Sequence, residues 1–302
     1  MSSYFSFSPR TAALLKALFV TFLWSTSWVL IKIGLDDIPA LTFAGLRYTF
    51  AATCLLIFAR QRGSLSAMSQ ISRRDWAWLA ILGLIFIAVA QGSQFLALVY
   101  LPAVTLTLFL NFTAIFVVIL GIWLLREYPT PLQLFGVALF MGGVLLFFYP
   151  IELPHDEWLG LGIATVCVLA NSAAGVLGRH INRQGHLPAL TVTLTSMSIG
   201  AMVLLGTGII TQGLPSFDLQ GWAIIAWLAV VNTAFAFTVW NQTLRILTAL
   251  ESSIINNTML AQISLLAWIF LGEDISRREL IALVIASIGS LLSQVRQSPR
   301  RF

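Results

Sequence analysis

Long hydrophobic segments alternate with short polar ones along the whole chain. A segment of about 20 apolar residues, wound as an α-helix, crosses the roughly 30 Å of hydrocarbon in a bilayer. The connections between the segments are short and leave no room for a soluble domain. The pattern therefore predicts an all-α membrane protein with ten transmembrane helices. The predicted spans lie near residues 12–34, 39–59, 76–99, 101–124, 130–149, 158–180, 187–210, 221–244, 248–271 and 276–295.

The second half of the chain repeats the first at a constant offset of 146 residues. The halves, residues 1–149 and 150–302, each contain five predicted spans. A repeat with an odd number of spans leaves the membrane on the side opposite to its start, so its copy is inserted upside down. Two inverted five-helix repeats are a layout typical of secondary transporters. The polar and Trp pairs in register are Trp76 with Trp222, Asn111 with Asn257, and Glu127 with Glu273.

The basic residues predict the orientation of these spans. With both termini in the cytoplasm, 13 of the 17 Lys and Arg residues lie on the inner side. Only Lys32, Arg277 and Arg278 then lie outside, with Arg47 inside a span. Cytoplasmic loops are enriched in Lys and Arg, so this orientation is the favoured one. We therefore expect a multi-pass protein of the inner membrane with both termini cytoplasmic.

Composition excludes several classes of protein. The chain is 58% hydrophobic and 10% charged, whereas soluble domains carry about 25% charged residues. The net charge of +5 is spread along the chain, so we expect lipid and a small-molecule substrate as partners and no nucleic acid.

Cys54 and Cys167 lie inside apolar spans without metal-ligand spacing, which favours buried thiols. No metal or cofactor is expected. The first apolar segment is too long for a cleaved signal peptide.

Polar side chains are concentrated on the first, third and fourth span of each repeat. A polar group deep in a span indicates either a water-accessible cavity or a hydrogen bond between helices. We interpret the set as the lining of a substrate site, with amides for the polar part of a solute and Trp faces for its apolar part. The candidate substrate-binding residues are Trp24, Trp28, Gln91, Gln94, Asn111, Asn171, Asn232, Trp240, Asn241 and Asn257.

Spans five and ten differ, since their interiors are apolar and small. Ala138 and Gly142 in one, and Ala282 and Ala286 in the other, have the spacing that lets helices approach closely. These spans are predicted to serve packing or self-association away from the pathway. The protein is accordingly expected to be a monomer or a weak homodimer.

Two cations lie within or beside the spans. Arg47 is roughly 12 Å inside span two at 1.5 Å per residue, where a charge is costly. Pairing with Asp36 or Asp37, or snorkelling to the outer surface, would relieve that cost. Contact with an anionic group of the substrate is the alternative, and Lys32 has the same two interpretations. No Asp or Glu lies at mid-membrane, so a carboxylate proton relay is not evident. Glu251, a few residues inside the inner start of span nine, is a weak exception.

Several short motifs recur in both halves or lie near the predicted site: Trp24-Ser25, Lys32, Arg47, Ala97-Leu98-Val99-Tyr100, Leu124-Leu125-Arg126-Glu127, Gly142-Gly143-Val144, Leu271-Gly272-Glu273 and Gly289. In these residues the chain resembles the EamA type of the drug/metabolite transporter superfamily, along nearly its whole length. The resemblance implies ten helices in two inverted repeats, a central cavity lined by the first, third and fourth helix of each repeat, and alternating access. One departure is the absence of Pro near Asn111 and Asn257, where family members often carry it.

The sequence thus predicts a secondary transporter for small organic metabolites, such as amino acids or amphipathic and aromatic solutes, with export favoured. A proton-coupled multidrug or metabolite exporter is the alternative. Two further alternatives are a membrane sensor without transport and an intramembrane enzyme. An enzyme would need a nucleophile beside His, or paired carboxylates, at membrane depth, and the sequence has neither.

Overall fold

The computed structural model describes residues 8–61, 71–113, 115–116, 130–149, 155–184, 187–214, 218–243, 246–247 and 249–294. Within these ranges the chain forms helices and turns and no strand. The helices are α1 Pro9–Gly34, α2 Ala40–Gln61, α3 Arg73–Tyr100, α4 Ala103–Leu110, α5 Pro131–Phe148, α6 His155–Gln184, α7 Ala189–Gln212, α8 residues 219–243, α9 Ala249–Leu271 and α10 Arg277–Gln294.

Seven described helices are long and apolar enough to cross a membrane: α1, α2, α3, α5, α6, α7 and α8. The described part of α4 is short, the apolar part of α9 is limited to Thr258–Leu271, and α10 begins with three charged residues. The predicted all-helical fold is confirmed for the described residues, whereas ten transmembrane spans remain a prediction. Residues 117–129, which include Trp123 and Glu127, lie outside the described ranges.

Local sequence signals set the helix starts. Ser8 caps α1 by accepting a hydrogen bond from the Thr11 N–H, and Pro follows it at the first helical position. Thr130 and Gln133 form a capping box at the start of α5. Each cap satisfies backbone N–H groups that lack an intrahelical partner, so the ends of the apolar segments become helix ends.

The third helix of each repeat contains a π-helical segment. α3 widens over Leu84–Gln91 and α8 over Val230–Phe235. The offset of 146 residues places Leu84 on Val230, so both segments begin at the same position of the repeat. π segments are rare, and they occur frequently at functional sites. The two repeats therefore share this backbone irregularity as well as their sequence matches.

The helices pack in pairs that follow the repeat. α2 packs on α7 and α5 on α10, so the second and fifth helices each meet their own counterparts. α1 packs against α8 and α9, while α3 and α4 pack against α6. Each contact between a helix of one half and a helix of the other thus has its related contact, as a two-fold arrangement requires.

The interface between α5 and α10 shows this symmetry at atomic detail. A Cβ at Gly143 would lie 2.6 Å from Ala286 N and 2.9 Å from Ala282 O. A Cβ at Gly289 would lie 2.2 Å from Phe140 N and 2.7 Å from Gly136 O. The offset maps one set of atoms onto the other. Only glycine fits at either position, because backbone lies where a side chain would be.

This interface supports the packing interpretation of spans five and ten. Ala282 and Ala286 are buried in it, as their spacing predicts. Ala138 and Gly142 are instead exposed, and Gly142 faces open space. The close approach uses Gly136 and Gly143, which lie on the opposite face of α5. The predicted role of the Ala138 and Gly142 pair in helix packing within this chain is therefore wrong.

Candidate substrate site

Arg47 lies at the junction of the two repeats. Its side chain, on α2, is 6% exposed, and Nε donates a hydrogen bond to Thr233 Oγ1 in the π segment of α8 at 3.2 Å. The guanidinium carbon lies 5.3 Å from the Tyr48 ring centroid and 5.9 Å from that of Phe95. Such cation–π contacts contribute about 0.5–2 kcal/mol each.

Neither structural explanation offered for Arg47 is seen. Asp36 and Asp37 are exposed beyond the end of α1, and Arg47 forms no ion pair within the described ranges. Burial rules out snorkelling to the surface. A cation at this depth costs at least about 2.5–3.5 kcal/mol, and one neutral hydroxyl and two rings offset only part of that cost. The interpretation as an anion contact therefore gains support.

Gln91 and Tyr48 form the next part of this junction. Gln91 is the last residue of the π segment in α3, and its Oε1 accepts a hydrogen bond from the Tyr48 hydroxyl at 2.6 Å. Tyr48 is buried beside Arg47. Tyr48 is not among the residues predicted from the sequence, because Tyr in a span usually marks the membrane interface. Its position next to a buried Arg is the signal that would have identified it.

Asn232 joins α8 to α1. Its side chain is fully buried, and Nδ2 donates hydrogen bonds to Leu23 O, to Ser27 Oγ at 2.8 Å and to Thr26 Oγ1 at 3.2 Å. Its Oδ1 is buried and has no partner in the described part of the chain. The neighbouring Thr233 donates to Leu228 O at 2.8 Å, five residues back, which follows the π-helical register. The π segment thus brings Asn232 onto α1 and Thr233 onto Arg47.

An aromatic group borders Asn232. Trp24 Nε1 donates to the Asn232 backbone carbonyl at 3.1 Å. The Trp24 ring lies 5.3 Å from that of Phe237 and 5.2 Å from that of Trp240. The structure therefore brings together the predicted residues Trp24, Asn232 and Trp240, and adds Phe237. Trp28 differs, since it is buried in the main hydrophobic core.

Two of the remaining predicted amides, Asn111 and Asn171, are bonded elsewhere. Asn111 Nδ2 donates to Thr107 O at 2.9 Å, and its Oδ1 accepts from Ser290 Oγ of α10 at 3.4 Å. Asn171 donates within its own helix to Cys167 O at 2.9 Å. Gln94 is half-buried on α3. The side chains of Asn241 and Asn257 lie outside the described residues.

Lys32 is engaged elsewhere. Its Nζ donates to Leu98 O at 2.5 Å and to Leu101 O at 3.0 Å, at the C-terminal end of α3. On the far side of the same turn, the Glu273 carboxylate accepts from the N–H groups of Ala103 at 2.7 Å and Val104 at 3.1 Å. Cations stabilise helix C-termini and anions stabilise N-termini. Lys32 and Glu273 together hold the turn between α3 and α4, and this contact supports a structural role for Lys32.

A cavity of about 360 Å³ lies beside this turn. Its lining includes no residue of either π segment, so it is separate from the junction around Arg47. Within the described ranges, no group of three His, Cys, Asp or Glu side chains could hold a metal ion. The cavity is lined by residues that include Pro102, Thr105, Phe147, Glu157, Glu273 and Arg278.

Comparison with known proteins finds the same family in both halves of the chain. The EamA-like transporter family matches residues 11–149 and again residues 158–294. The uncharacterized transporter YoaV of Bacillus subtilis is 24% identical over 288 residues, covering 93% of this chain and 96% of its own. A probable amino-acid metabolite efflux pump of Salmonella typhimurium is 26% identical over 238 residues, covering 74% and 75%. A solved crystal structure with 18% identity and a TM-score of 0.69 covers 94% of this chain and 97% of its own, and shows the same fold.

Proposed function

Because the chain belongs to the EamA-like transporter family and is a multi-pass membrane transporter, we propose that it is a secondary transporter for small organic metabolites. It works by alternating access in the inner membrane, with both termini cytoplasmic and export favoured. The relatives named as probable amino-acid metabolite efflux pumps support amino acids and related amphipathic solutes as the substrate class.

One observation carries this proposal: the two π segments start at the same position of the two repeats. Each interrupts the regular hydrogen bonding of a third helix, and between them they carry Gln91, Asn232 and Thr233. A membrane helix that serves packing alone has no need of a widened turn with polar residues. A wide turn in each repeat is the device expected where two halves enclose a solute and rock about it.

The site proper combines two kinds of side chain. Gln91 and Gln94 supply amides for the polar part of the solute, while Trp24 and Trp240 supply faces for its apolar part. Asn232 links these groups to α1. We give Trp28, Asn111 and Asn171 a supporting role. Trp28 is buried in the core, Asn171 bonds within its own helix, and Asn111 bonds both within its helix and to Ser290 of α10. Asn241 and Asn257 remain candidates on the sequence alone.

Facilitated diffusion or exchange is preferred to proton coupling. The described residues of the site include Arg47 and amides but no carboxylate. Carboxylates and His are the usual proton carriers within membranes. An imposed pH gradient is therefore expected to leave the accumulation of substrate unchanged.

The test uses purified protein in liposomes with labelled phenylalanine, a solute with both a polar and an aromatic part. We expect saturable uptake that unlabelled phenylalanine inhibits and that an imposed pH gradient does not drive. Gln91→Leu is expected to lower this uptake, while Gln220→Leu, at an exposed position early in α8, leaves it unchanged. Non-saturable uptake that equals that of empty liposomes, across a panel of amino acids, would refute the proposal.

A further inference from the structure

We propose that Arg47 is an anion subsite that binds the carboxylate of the transported solute. This inference rests on the proposed function and specifies which chemical group the site selects. It starts from a buried cation that has no counterion within the described ranges. Arg47 is 6% exposed, and its one hydrogen bond within the described ranges runs from Nε to Thr233 Oγ1.

The geometry of the guanidinium indicates the kind of anion. Because Nε is occupied by Thr233, the two terminal nitrogens remain for a ligand. Two parallel N–H groups match the two oxygens of a carboxylate, which bind side by side. The rings of Tyr48 and Phe95 border the guanidinium. A carboxylate presents two coplanar oxygens, so its geometry matches the two terminal nitrogens.

The surroundings also explain why the charge is retained. A buried charge without a partner destabilises a fold, and its replacement by an apolar side chain is often neutral or stabilising. The Thr233 hydroxyl and the two rings orient the guanidinium without neutralising it. An arriving carboxylate would supply the missing charge, so the stabilisation appears only when the solute is bound.

The subsite is unique to the first repeat. The offset of 146 places Thr193 opposite Arg47 and Leu194 opposite Tyr48. Neither residue carries a charge, so a bound solute would meet one guanidinium. The site is expected to take one carboxylate per transport cycle.

The first experiment compares matched ligands on the unaltered protein. Phenylacetate and phenethylamine share an aromatic ring and differ in whether they carry a carboxylate. We expect phenylacetate to raise the unfolding temperature of the detergent-solubilised protein and phenethylamine not to do so. In liposomes, phenylalanine uptake should exceed phenylalaninamide uptake about tenfold or more, the size of effect that a buried charge pair gives.

The second experiment alters the subsite. Arg47→Met keeps the unbranched stem and removes the charge, while Arg47→Lys keeps the charge and removes the two parallel N–H groups. Arg47→Met should abolish the phenylacetate shift and the preference for phenylalanine over its amide. It should also unfold, without ligand, at the same or a higher temperature than the original protein. Arg47→Lys should retain part of the preference. Thr193→Val, at the matched position of the second repeat, should behave like the original protein.

The outcomes separate the two proposals. Equal uptake of phenylalanine and its amide, with no phenylacetate shift, would overturn the Arg47 subsite and leave transport standing. A phenylacetate shift that Arg47→Met removes, in a protein without saturable uptake, would support the subsite and overturn transport. An Arg47→Met variant that unfolds before purification would show a structural role and overturn the subsite.

Discussion

The first and second repeats begin a π segment at the same position, yet they carry different side chains around it. Gly143 and Gly289 meet equivalent backbone atoms across the α5–α10 interface. Near the centre the correspondence ends. The first repeat contributes a guanidinium, a phenol and an amide, where the second has a hydroxyl and two apolar side chains. The unmatched pairs are Arg47 with Thr193, Tyr48 with Leu194, Gln91 with Phe237, and Asn232 with Phe86.

This difference separates two requirements on the same fold. Alternating access needs two states of similar free energy. A two-fold scaffold supplies them, because a two-fold axis in the membrane plane relates one state to the other. A metabolite has no such symmetry. Its charged end and its apolar end need different neighbours, so the residues that touch it must diverge between repeats. Matched positions therefore indicate scaffold, and the residues that bind the solute are expected among the unmatched positions.

The largest loss of stability is expected at the two glycines whose surroundings match most closely between the repeats. Gly143→Leu and Gly289→Leu each force a side chain into the backbone of the facing helix, so each should lower the free energy of unfolding by about 3 kcal/mol. Because the two sites are equivalent, their losses should agree. Thermal unfolding in detergent measures them. Gly142→Leu, which faces open space, is the matched control and should cost little. A tolerated Gly289→Leu beside a damaging Gly143→Leu would break the symmetry.

A smaller loss is expected where one repeat has a charge that the other lacks. The offset places Gly178 opposite Lys32, so the second repeat has no ammonium group at the position from which Lys32 contacts the α3–α4 turn. Lys32→Met removes two hydrogen bonds from an ammonium to carbonyl oxygens and should cost about 1.5 kcal/mol. Lys16→Met, at an exposed site of α1, is the control. Equal unfolding temperatures for the two variants would remove Lys32 from the structural role described above.

The length of the apolar segments was sufficient to predict the seven long apolar helices of the described ranges, and residue matches at a constant offset predicted the repeat. The predicted span near 12–34 corresponds to Pro9–Gly34, and the one near 187–210 to Ala189–Gln212. Burial of apolar side chains in lipid determines these elements, and apolar length can be read from the sequence. The resemblance to the EamA type is confirmed by family matches in both halves.

The details of the site could not be predicted in the same way. A π segment changes the hydrogen-bond register of the backbone, and the apolar content of Leu84–Gln91 does not reveal such a change. Asn111 and Asn232 are both amides within spans, yet one contacts Ser290 of α10 and the other contacts α1. Which neighbour an intramembrane amide meets depends on the rotation of its helix, which polar content alone does not fix.

The next prediction concerns Asn232, an amide of α8 that bonds to α1 and has no matched amide in the first repeat. Asn232→Ala removes hydrogen bonds to Leu23, Thr26 and Ser27, and Phe86 at the matched position makes no such link. We expect a loss of about 1 kcal/mol, typical of hydrogen bonds between membrane helices. Asn256→Ala, at an exposed position of α9, should have no effect on unfolding. A higher unfolding temperature for Asn232→Ala would show that its unpartnered Oδ1 outweighs the three donated bonds.

The smallest effect concerns Trp24, whose matched residue is Ala170. Trp24→Phe keeps an aromatic ring beside Phe237 and Trp240 but removes the hydrogen bond to the Asn232 carbonyl. The expected loss is about 0.6 kcal/mol, the average for one hydrogen bond between membrane helices. Trp76→Phe, at an exposed position near the start of α3, controls for the change of ring size. Because a ring stays beside the site, phenylalanine uptake by Trp24→Phe should fall less than uptake by Trp24→Leu. Equal losses of uptake in Trp24→Phe and Trp24→Leu would mean that the indole N–H, and not the aromatic face, is the feature of Trp24 that matters for uptake. Ala170, the matched residue of the second repeat, has neither.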